Sequence, residues 1–114
     1  MSDCIFCKII KKEIPAKIVY EDDKVVAFED VNPQAPVHIL IVPIKHIPTI
    51  LDITQDDNAL IGHIFMVANN IAKNKGISGS GFRTVFNCNK DAGQAVYHIH
   101  LHILGGRRMA WPPG

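Results

Sequence analysis

The stretch from residue 97 to residue 104 constrains the fold of this chain more than any other part of it. It reads Tyr-His-Ile-His-Leu-His-Ile-Leu and holds three of the six histidines, at every second position. Side chains of a β-strand point alternately to its two faces. The pattern therefore predicts a strand with His98, His100 and His102 on one face and apolar residues packing on a core from the other.

Alternating imidazoles leave more than one interpretation open. Neutral imidazole can act as a nucleophile, a base or a metal ligand. A single buried histidine usually has only a structural hydrogen-bonding role, but three in alternation are harder to explain in that way. Spacing alone leaves chemistry on a nucleotide or phosphate and metal binding as equal alternatives, with a purely structural face behind them.

Composition limits the class of protein. A length of 114 residues, 47% of them hydrophobic, suits one domain over residues 1–114 with a real core. Twelve basic and eleven acidic residues give a net charge of +1, which predicts neither a nucleic-acid partner nor a membrane-surface partner. No apolar run approaches the roughly 20 residues of a membrane span, and the start of the chain has no apolar signal segment. The odd number of cysteines, three, favours a reducing, cytoplasmic location.

Hydrophobic periodicity and turn residues predict an α+β fold with a mainly antiparallel sheet. One long helix, capped by Thr54 and ending near Lys75 before Gly76, should cover one face of the sheet. Residues 89–95 should form a polar loop that leads into the histidine strand. The other predicted elements are a short helix at 4–12, a hairpin of strands at 17–21 and 24–29, a buried strand at 38–43 and a strand at 82–88.

The histidine strand resembles the signature of the histidine triad (HIT) superfamily of nucleotide hydrolases and transferases. Further segments resemble its Hint branch, the purine nucleoside phosphoramidases: Glu13–Ile18, Asn32–Pro36, Gly93-Gln94, Gly105–Arg107 and Trp111–Gly114. The resemblance spans essentially the whole chain. It implies a five-stranded HIT-like fold in a homodimer, with the sheet continued across the two subunits and the tail at 105–114 docking at their interface.

The same resemblance implies an enzyme that hydrolyses the phosphorus–nitrogen bond of adenosine or guanosine 5′-phosphoramidates, including lysyl- and aminoacyl-adenylate-type substrates. His100 would attack the α-phosphorus to form a nucleotidyl-histidine, and water would release the purine nucleoside monophosphate. His102 would bond a phosphate oxygen, while His98 and His38 would orient the pair, with no cofactor required for catalysis. Two alternatives stay open: a nucleotide-binding regulatory or adaptor dimer with weak activity, and a dinucleoside polyphosphate hydrolase.

Positions that match the substrate site of the family are spread along the chain. Asp30 matches the carboxylate that binds the ribose hydroxyls, a task that suits an acceptor with two oxygens. The Gly93-Gln94 loop is expected to offer backbone N–H groups to phosphate. The other matched positions are Ile5, Phe6, Ile9, Phe28 and Val31 around the purine, Asn87 near the phosphate, and Trp111, which would reach the site of the partner subunit.

One matched position departs from the family. Ala95 stands where the family usually has a serine, whose hydroxyl lies near the leaving-group nitrogen. Alanine has no side-chain donor or acceptor. We therefore expect slower turnover of substrates with poor leaving groups, with nucleotide binding retained.

The pair Cys4 and Cys7 is half of a zinc site by its Cys-x-x-Cys spacing. Some bacterial members of the superfamily bind zinc through such a pair together with two histidines, which match His46 and His98 here. A structural zinc is therefore one interpretation of these four residues, and buried, reduced cysteines that only fill space are the other. A catalytic zinc is disfavoured, since it would occupy the histidines that must stay free to attack.

Overall fold

The sheet is built around the apolar run that the sequence predicts to be a buried strand, which forms β3 (Val37–Pro43). The computed structural model describes residues 3–114. The other strands, all paired antiparallel, are β1 (Ile18–Glu21), β2 (Val25–Glu29), β4 (Phe82–Val85) and β5 (Leu101–Gly105). Their order across the sheet is β1-β2-β3-β5-β4, which places β5 beside the central strand. The predicted α+β fold with a five-stranded antiparallel sheet is thus confirmed.

One helix packs on each face of the sheet, α1 (Ile5–Ile10) on one side and α2 (Asn58–Asn74) on the other. Alternate residues of β2 and β3 pack against α2, while the residues between them face α1. In β5, Leu101 and Ile103 belong to the α2 side, which leaves His102 on the α1 side. None of the helices described within residues 3–114 has both the length and the apolar character needed to cross a bilayer.

The helices differ from the sequence prediction in three places. Helix α1 covers Ile5–Ile10 rather than 4–12. The long helix α2 starts at Asn58 rather than directly after Thr54. Thr54 instead precedes a short 3₁₀ turn, Gln55–Asp57, and its backbone N–H donates to Asp57 Oδ2 over 3.0 Å. Within the predicted polar loop, residues Asn89–Ala92 form a short helix, α3. The polar composition of these residues favours a loop, but it does not exclude a single helical turn.

The histidine strand is shorter than predicted, because β5 begins only at Leu101 and includes His102 alone of the three histidines. The preceding segment leaves the ladder since it is anchored to the chain beyond β3. There the Ile99 N–H donates to the Ile47 oxygen over 2.8 Å. β4 is also shorter than predicted. Its last residue, Val85, pairs with His102 near the start of β5, so β4 ends there instead of at residue 88.

The end of the chain carries an exposed aromatic ring. Residues 106–114 form no helix or strand. The Trp111 side chain is 82% exposed, and the Arg83 guanidinium carbon lies 6.0 Å from its ring centre. Docking of this tail at a dimer interface stays a prediction.

Asp22 accepts four hydrogen bonds, three within the β1–β2 hairpin and one from α2. Its Oδ1 accepts the backbone N–H groups of Lys24 and Val25 at 2.8 and 2.9 Å. Its Oδ2 accepts from the Tyr20 hydroxyl and from His63 Nε2, each at 2.7 Å. Burial raises the pKa of this carboxyl, but the four bonds outweigh burial and hold the pKa well below its usual range.

Replacing Asp22 with asparagine should lower the free energy of unfolding by about 1–2 kcal/mol at neutral pH, since a charged acceptor is lost. A carboxyl whose folded pKa is depressed stabilises the fold above its unfolded pKa, and that contribution is lost as the pH falls toward the folded pKa. The gap between wild type and Asp22→Asn should therefore be constant at neutral pH and shrink below about pH 4. Urea denaturation across a pH series measures this gap, and a gap that is unchanged in strong acid would contradict the prediction.

Candidate active site and metal centre

An apolar cleft opens on the α1 side of the sheet, beside the start of β5. Its volume is about 360 Å³, within the range of roughly 300–1,000 Å³ that is typical of small-molecule sites. Two histidines of the row, His100 and His102, line the cleft. The structure also brings nine other predicted site residues to its wall, namely Ile5, Phe6, Ile9, Phe28, Asp30, Val31, Asn87, Gly93 and Ala95.

His100 is held with one ring nitrogen free. Its Nδ1 lies 2.9 Å from the backbone oxygen of His98. A carbonyl oxygen can only accept, so Nδ1 carries the proton and Nε2 keeps its lone pair. The Phe6 ring stands edge-on to the imidazole, with 5.0 Å between the ring centres. His100 is therefore fixed in the tautomer that a nucleophile needs.

A second chain of hydrogen bonds fixes His102. The Gln34 backbone N–H donates to His38 Nδ1 over 3.0 Å, so the proton of His38 lies on Nε2. That Nε2–H faces two acceptors, His102 Nδ1 at 2.9 Å and Asp30 Oδ2 at 3.4 Å. His102 then carries its own proton on Nε2. The cleft thus holds a hydrogen-bond donor beside the acceptor nitrogen of His100, with 5.0 Å between the two ring centres.

Burial keeps the histidines of the cleft neutral. It lowers the pKa of His102 to about 4, and it also lowers the pKa values of His38 and His100. The Asp30 carboxylate acts in the opposite direction on all three pKa values, but burial has the larger effect. At neutral pH the three imidazoles are therefore uncharged, and His100 can offer a lone pair.

Gly93 lies in the wall of the cleft, but the backbone N–H groups of Gly93 and Gln94 do not point into the cleft as the sequence suggests. Their backbone N–H groups donate to the Lys90 and Asn89 oxygens at 3.0 and 3.1 Å, which ends α3. The Gln94 side chain is buried, accepts the Asn89 N–H at 2.9 Å and donates to two backbone carbonyls. The two N–H groups expected to bind phosphate are thus already bonded within the protein.

Other parts of the cleft escape sequence analysis. Gln34 fixes His38 only through its main-chain N–H, which no side-chain pattern reveals. Trp111 is not part of the wall of this chain's own cleft, and its place in a partner's site stays a prediction. The wall also contains five apolar residues whose spacing carries no signal beyond that of a core, namely Ile14, Pro15, Ala16, Leu40 and Val96.

The structure brings the four residues of the predicted zinc site together. One donor atom from each of Cys4, Cys7, His46 and His98 lies within 4.8 Å of all the others. The His98 Nδ1 is 3.1 Å from the His46 Nδ1, and 3.4 and 3.6 Å from the sulfur atoms of Cys4 and Cys7. Cys4 at the N-cap of α1 and Cys7 within it meet His46, which follows β3, and His98, which precedes β5, and these positions produce the group.

The tautomer of His98 tests whether the cluster fits a metal. Its Nε2 donates to the Pro43 oxygen over 2.7 Å, so Nδ1 is unprotonated and directs its lone pair at the other donors. Burial lowers the pKa of His98 to about 4 against the opposing effect of this bond, so the ring is neutral, as a ligand must be. Two thiols with two imidazoles are a donor set of structural zinc. The four residues therefore fit zinc.

A second group of close donor atoms, from Asp30, His38 and His102, does not fit a metal. These atoms also lie within 4.8 Å of one another. The Nε2 of His38 carries a proton, however, because its Nδ1 accepts the Gln34 N–H. The bonds of this group are those of a proton-sharing chain.

The fold, the histidines of the cleft and the Cys–His group define a class of small α+β proteins. In this class the start of one antiparallel strand and the residues just before it present neutral imidazoles to an apolar cleft. Comparison with known proteins identifies the family. The family model described as "Scavenger mRNA decapping enzyme C-term binding" matches residues 3–110. A HIT-like protein of Synechocystis is 55% identical over 112 residues, which are 98% of this chain and 97% of that relative.

Two of the solved structures that share the fold match nearly all of this chain. A HIT family hydrolase from Legionella pneumophila Philadelphia 1 is 54% identical, with a TM-score of 0.97 over 98% of this chain and 100% of that chain. A histidine triad nucleotide-binding protein from Candida albicans is 31% identical, with a TM-score of 0.83 over 98% of this chain and 85% of that chain. The chain therefore belongs to the HIT family, as its histidine row indicates.

Proposed function

We propose that this chain is a nucleotide hydrolase of the Hint branch, a purine nucleoside phosphoramidase. It cleaves the phosphorus–nitrogen bond of adenosine or guanosine 5′-phosphoramidates, including lysyl- and aminoacyl-adenylate-type substrates. The observation that carries the proposal is the 2.9 Å bond from His100 Nδ1 to the His98 oxygen, which leaves a neutral imidazole with a free lone pair at the cleft. The Trp-Pro-Pro-Gly sequence at 111–114 supports this branch over a dinucleoside polyphosphate hydrolase.

The cleft has an apolar part and a polar part, as a nucleotide requires. Phe6, Ile9 and Phe28 are buried and offer the purine an apolar surface. The Asn32 N–H donates to Asp30 Oδ1 over 2.8 Å and holds the carboxylate in place, and its oxygens would also accept hydrogen bonds from the ribose hydroxyls. A purine, ribose and phosphate in this order would place the phosphorus beside the histidines.

The backbone N–H groups of Ala95 and Val96 are candidates to bind the phosphate. Both residues line the cleft. Among the turns and loops of residues 3–114, neither N–H donates to a backbone carbonyl. In this proposal these two N–H groups take the role that the sequence predicts for those of Gly93 and Gln94.

In the first step of the proposed reaction, His100 Nε2 bonds to the α-phosphorus while the phosphorus–nitrogen bond breaks. The amine leaves with the bonding electron pair and takes a proton from solvent. His102 donates its Nε2–H to a non-bridging oxygen, and the His98 oxygen holds His100 Nδ1–H as the ring gains positive charge. In the second step water attacks the same phosphorus, its proton passes to solvent, and His100 leaves with its lone pair restored. The product is the purine nucleoside monophosphate.

Zinc has a structural role in this proposal. Cys4, Cys7, His46 and His98 would hold it, and when bound it would cross-link α1 to the segment before β5. The steps on phosphorus need only the residues of the cleft. Cys4, Cys7 and Cys88 are free thiols, which also supports a reducing, cytoplasmic location.

We also propose that the chain forms a homodimer. β5 is the only neighbour of β4 among the described strands, so the outer edge of β4 is open to a second copy. On α2, Phe65 and Met66 are partly exposed, and the Phe65 ring lies 6.2 Å from that of Phe86, just after β4. Pairing of two β4 strands would continue the sheet and cover this apolar surface.

An assay of adenosine 5′-phosphoramidate hydrolysis, in which the AMP released is measured, tests the proposed function. We expect turnover, with a higher rate than on a diadenosine polyphosphate. Binding of AMP without turnover would instead support the regulatory or adaptor alternative. A preference for the diadenosine polyphosphate would support the other hydrolase.

Replacing Ala95 with serine should raise kcat on substrates with poor leaving groups by about tenfold, the effect of one added hydrogen bond in the transition state. The affinity for AMP should change little, since the hydroxyl would act near the leaving nitrogen. Steady-state rates on a simple alkyl phosphoramidate measure this change. Ala92→Ser is the matched control, because Ala92 lies in α3 and outside the cleft wall. Equal rates for wild type and Ala95→Ser would refute the prediction.

A further inference from the structure

Helix α1 belongs both to the metal cluster and to the cleft. Cys7 lies within this helix and Cys4 is its N-cap residue, so half of the cluster moves with it. Ile5, Phe6 and Ile9 of the same helix form part of the cleft wall. One short element thus carries two metal ligands together with the apolar end of the cleft.

The Phe6 ring packs among residues of both sites. Its centre lies 5.0 Å from the ring centre of His100, 5.5 Å from that of Phe28 and 6.0 Å from that of His98. A helix of one to two turns is not stable alone in water, so the position of α1 depends on its contacts with the rest of the protein. Any ligand that holds α1 in place therefore also holds Phe6 against the cleft.

We propose that metal binding at Cys4, Cys7, His46 and His98 and nucleotide binding in the cleft strengthen each other through α1. This inference rests on the proposed function and on the fit of the four residues to zinc. Zinc holds α1 from one side, and a purine packs on the apolar residues of α1 from the other. When one ligand has already ordered the helix, the second ligand binds at a lower cost in conformational entropy. By linkage, zinc raises the affinity for nucleotide by the same factor by which nucleotide raises the affinity for zinc.

The coupling runs through α1 rather than through the backbone of His98. The His98 oxygen orients His100, but two bonds anchor that segment without a metal. The His98 Nε2 donates to the Pro43 oxygen over 2.7 Å, and the Ile99 N–H donates to the Ile47 oxygen over 2.8 Å. Loss of the metal therefore leaves the phosphate end of the cleft in place and loosens the purine end.

Equilibrium competition between the zinc-loaded full chain and a chromogenic chelator measures the affinity for zinc. It is run without ligand, with saturating AMP and with saturating inorganic phosphate. AMP should raise the affinity for zinc by about 5- to 150-fold, the usual range of allosteric coupling. Phosphate reaches only the histidine end of the cleft and should leave the affinity for zinc nearly unchanged. Calorimetric titration with AMP, before and after removal of zinc, should give the same factor as the chelator competition.

Ile9 and Ile10 offer a matched pair of variants on the same helix. Ile9 lines the cleft, whereas Ile10 packs against the same apolar cluster outside the cleft wall. Ile9→Ala should reduce the coupling factor, because the purine loses contact with α1. Ile10→Ala should keep the coupling factor of the wild type.

Each outcome of these experiments decides between the hypotheses. Binding of AMP with no change in the affinity for zinc overturns the coupling and leaves the proposed function intact. A phosphate effect as large as that of AMP overturns the route through α1. Failure to bind zinc overturns the coupling and the structural zinc site but not the proposed hydrolysis. Failure to bind AMP overturns the coupling together with the proposed hydrolysis.

Discussion

Substitution of His100 by alanine is expected to lower the rate of phosphoramidate hydrolysis by at least about 10⁴-fold, because no other nitrogen at the cleft can replace its Nε2. His102 presents an N–H there, since its Nδ1 accepts from His38. Both ring nitrogens of His98 are directed elsewhere, Nε2 to the Pro43 oxygen and Nδ1 to the other donor atoms of the proposed zinc site. A nucleotidyl-enzyme should therefore fail to form in His100→Ala.

Mass spectrometry of quenched reactions measures this effect directly. Wild type should carry a nucleotidyl group and His100→Ala should carry none, while calorimetry shows that AMP still binds. His63→Ala is the control, because His63 lies on α2 and bonds to Asp22, away from the cleft wall. Turnover at the wild-type rate in His100→Ala, or an adduct on a different residue, would refute a nucleophilic His100.

The histidine row shows what a local pattern can and cannot predict. Its alternation indicates the side-chain period, and His100 and His102 do lie together at the cleft. The start of a strand, however, depends on the partner that it pairs with. Here the chain before Leu101 bonds to Ile47 instead of continuing the ladder, so the ring of His98 joins a different group of residues.

Main-chain hydrogen bonds account for most of what the sequence could not reveal about the site. The tautomers of His38 and His100 are set by a backbone N–H and a backbone oxygen, which every residue type possesses. The same reason explains the loop at Gly93 and Gln94, where the resemblance to the family predicts backbone N–H groups that bind phosphate. Only the structure shows that the Gly93 N–H already closes α3. Side-chain identity thus predicts the chemistry available at the cleft, while the direction of each lone pair depends on the folded backbone.

Replacing Cys7 with serine should abolish zinc binding and lower the stability of the purified protein. Wild type is expected to contain a single zinc per chain by elemental analysis, and Cys7→Ser none, since a serine hydroxyl does not replace a thiolate ligand. A ligand that binds only the folded state stabilises it by RT ln(1 + [L]/Kd), about 4 kcal/mol at a thousandfold excess over Kd. Thermal denaturation should therefore show a lower Tm for Cys7→Ser, and chelation should lower the Tm of wild type but not that of Cys7→Ser.

Cys88, the third cysteine, provides the control for this prediction. Its replacement removes a thiol without removing a proposed zinc ligand. Cys88 lies outside the proposed zinc site and is half-buried. Cys88→Ser should therefore retain zinc, and chelation should lower its Tm as it does that of wild type. The Tm of Cys7→Ser should instead be the same with and without chelator, since this variant has no metal to lose. Two results together would contradict the prediction: wild type that contains no zinc even after reconstitution, and a wild-type Tm equal to that of Cys7→Ser. The buried Cys7 thiol would then act only as an apolar filler beside His98. The geometry of His98 argues against that result, because its bond to the Pro43 oxygen directs an unprotonated nitrogen at the two sulfur atoms.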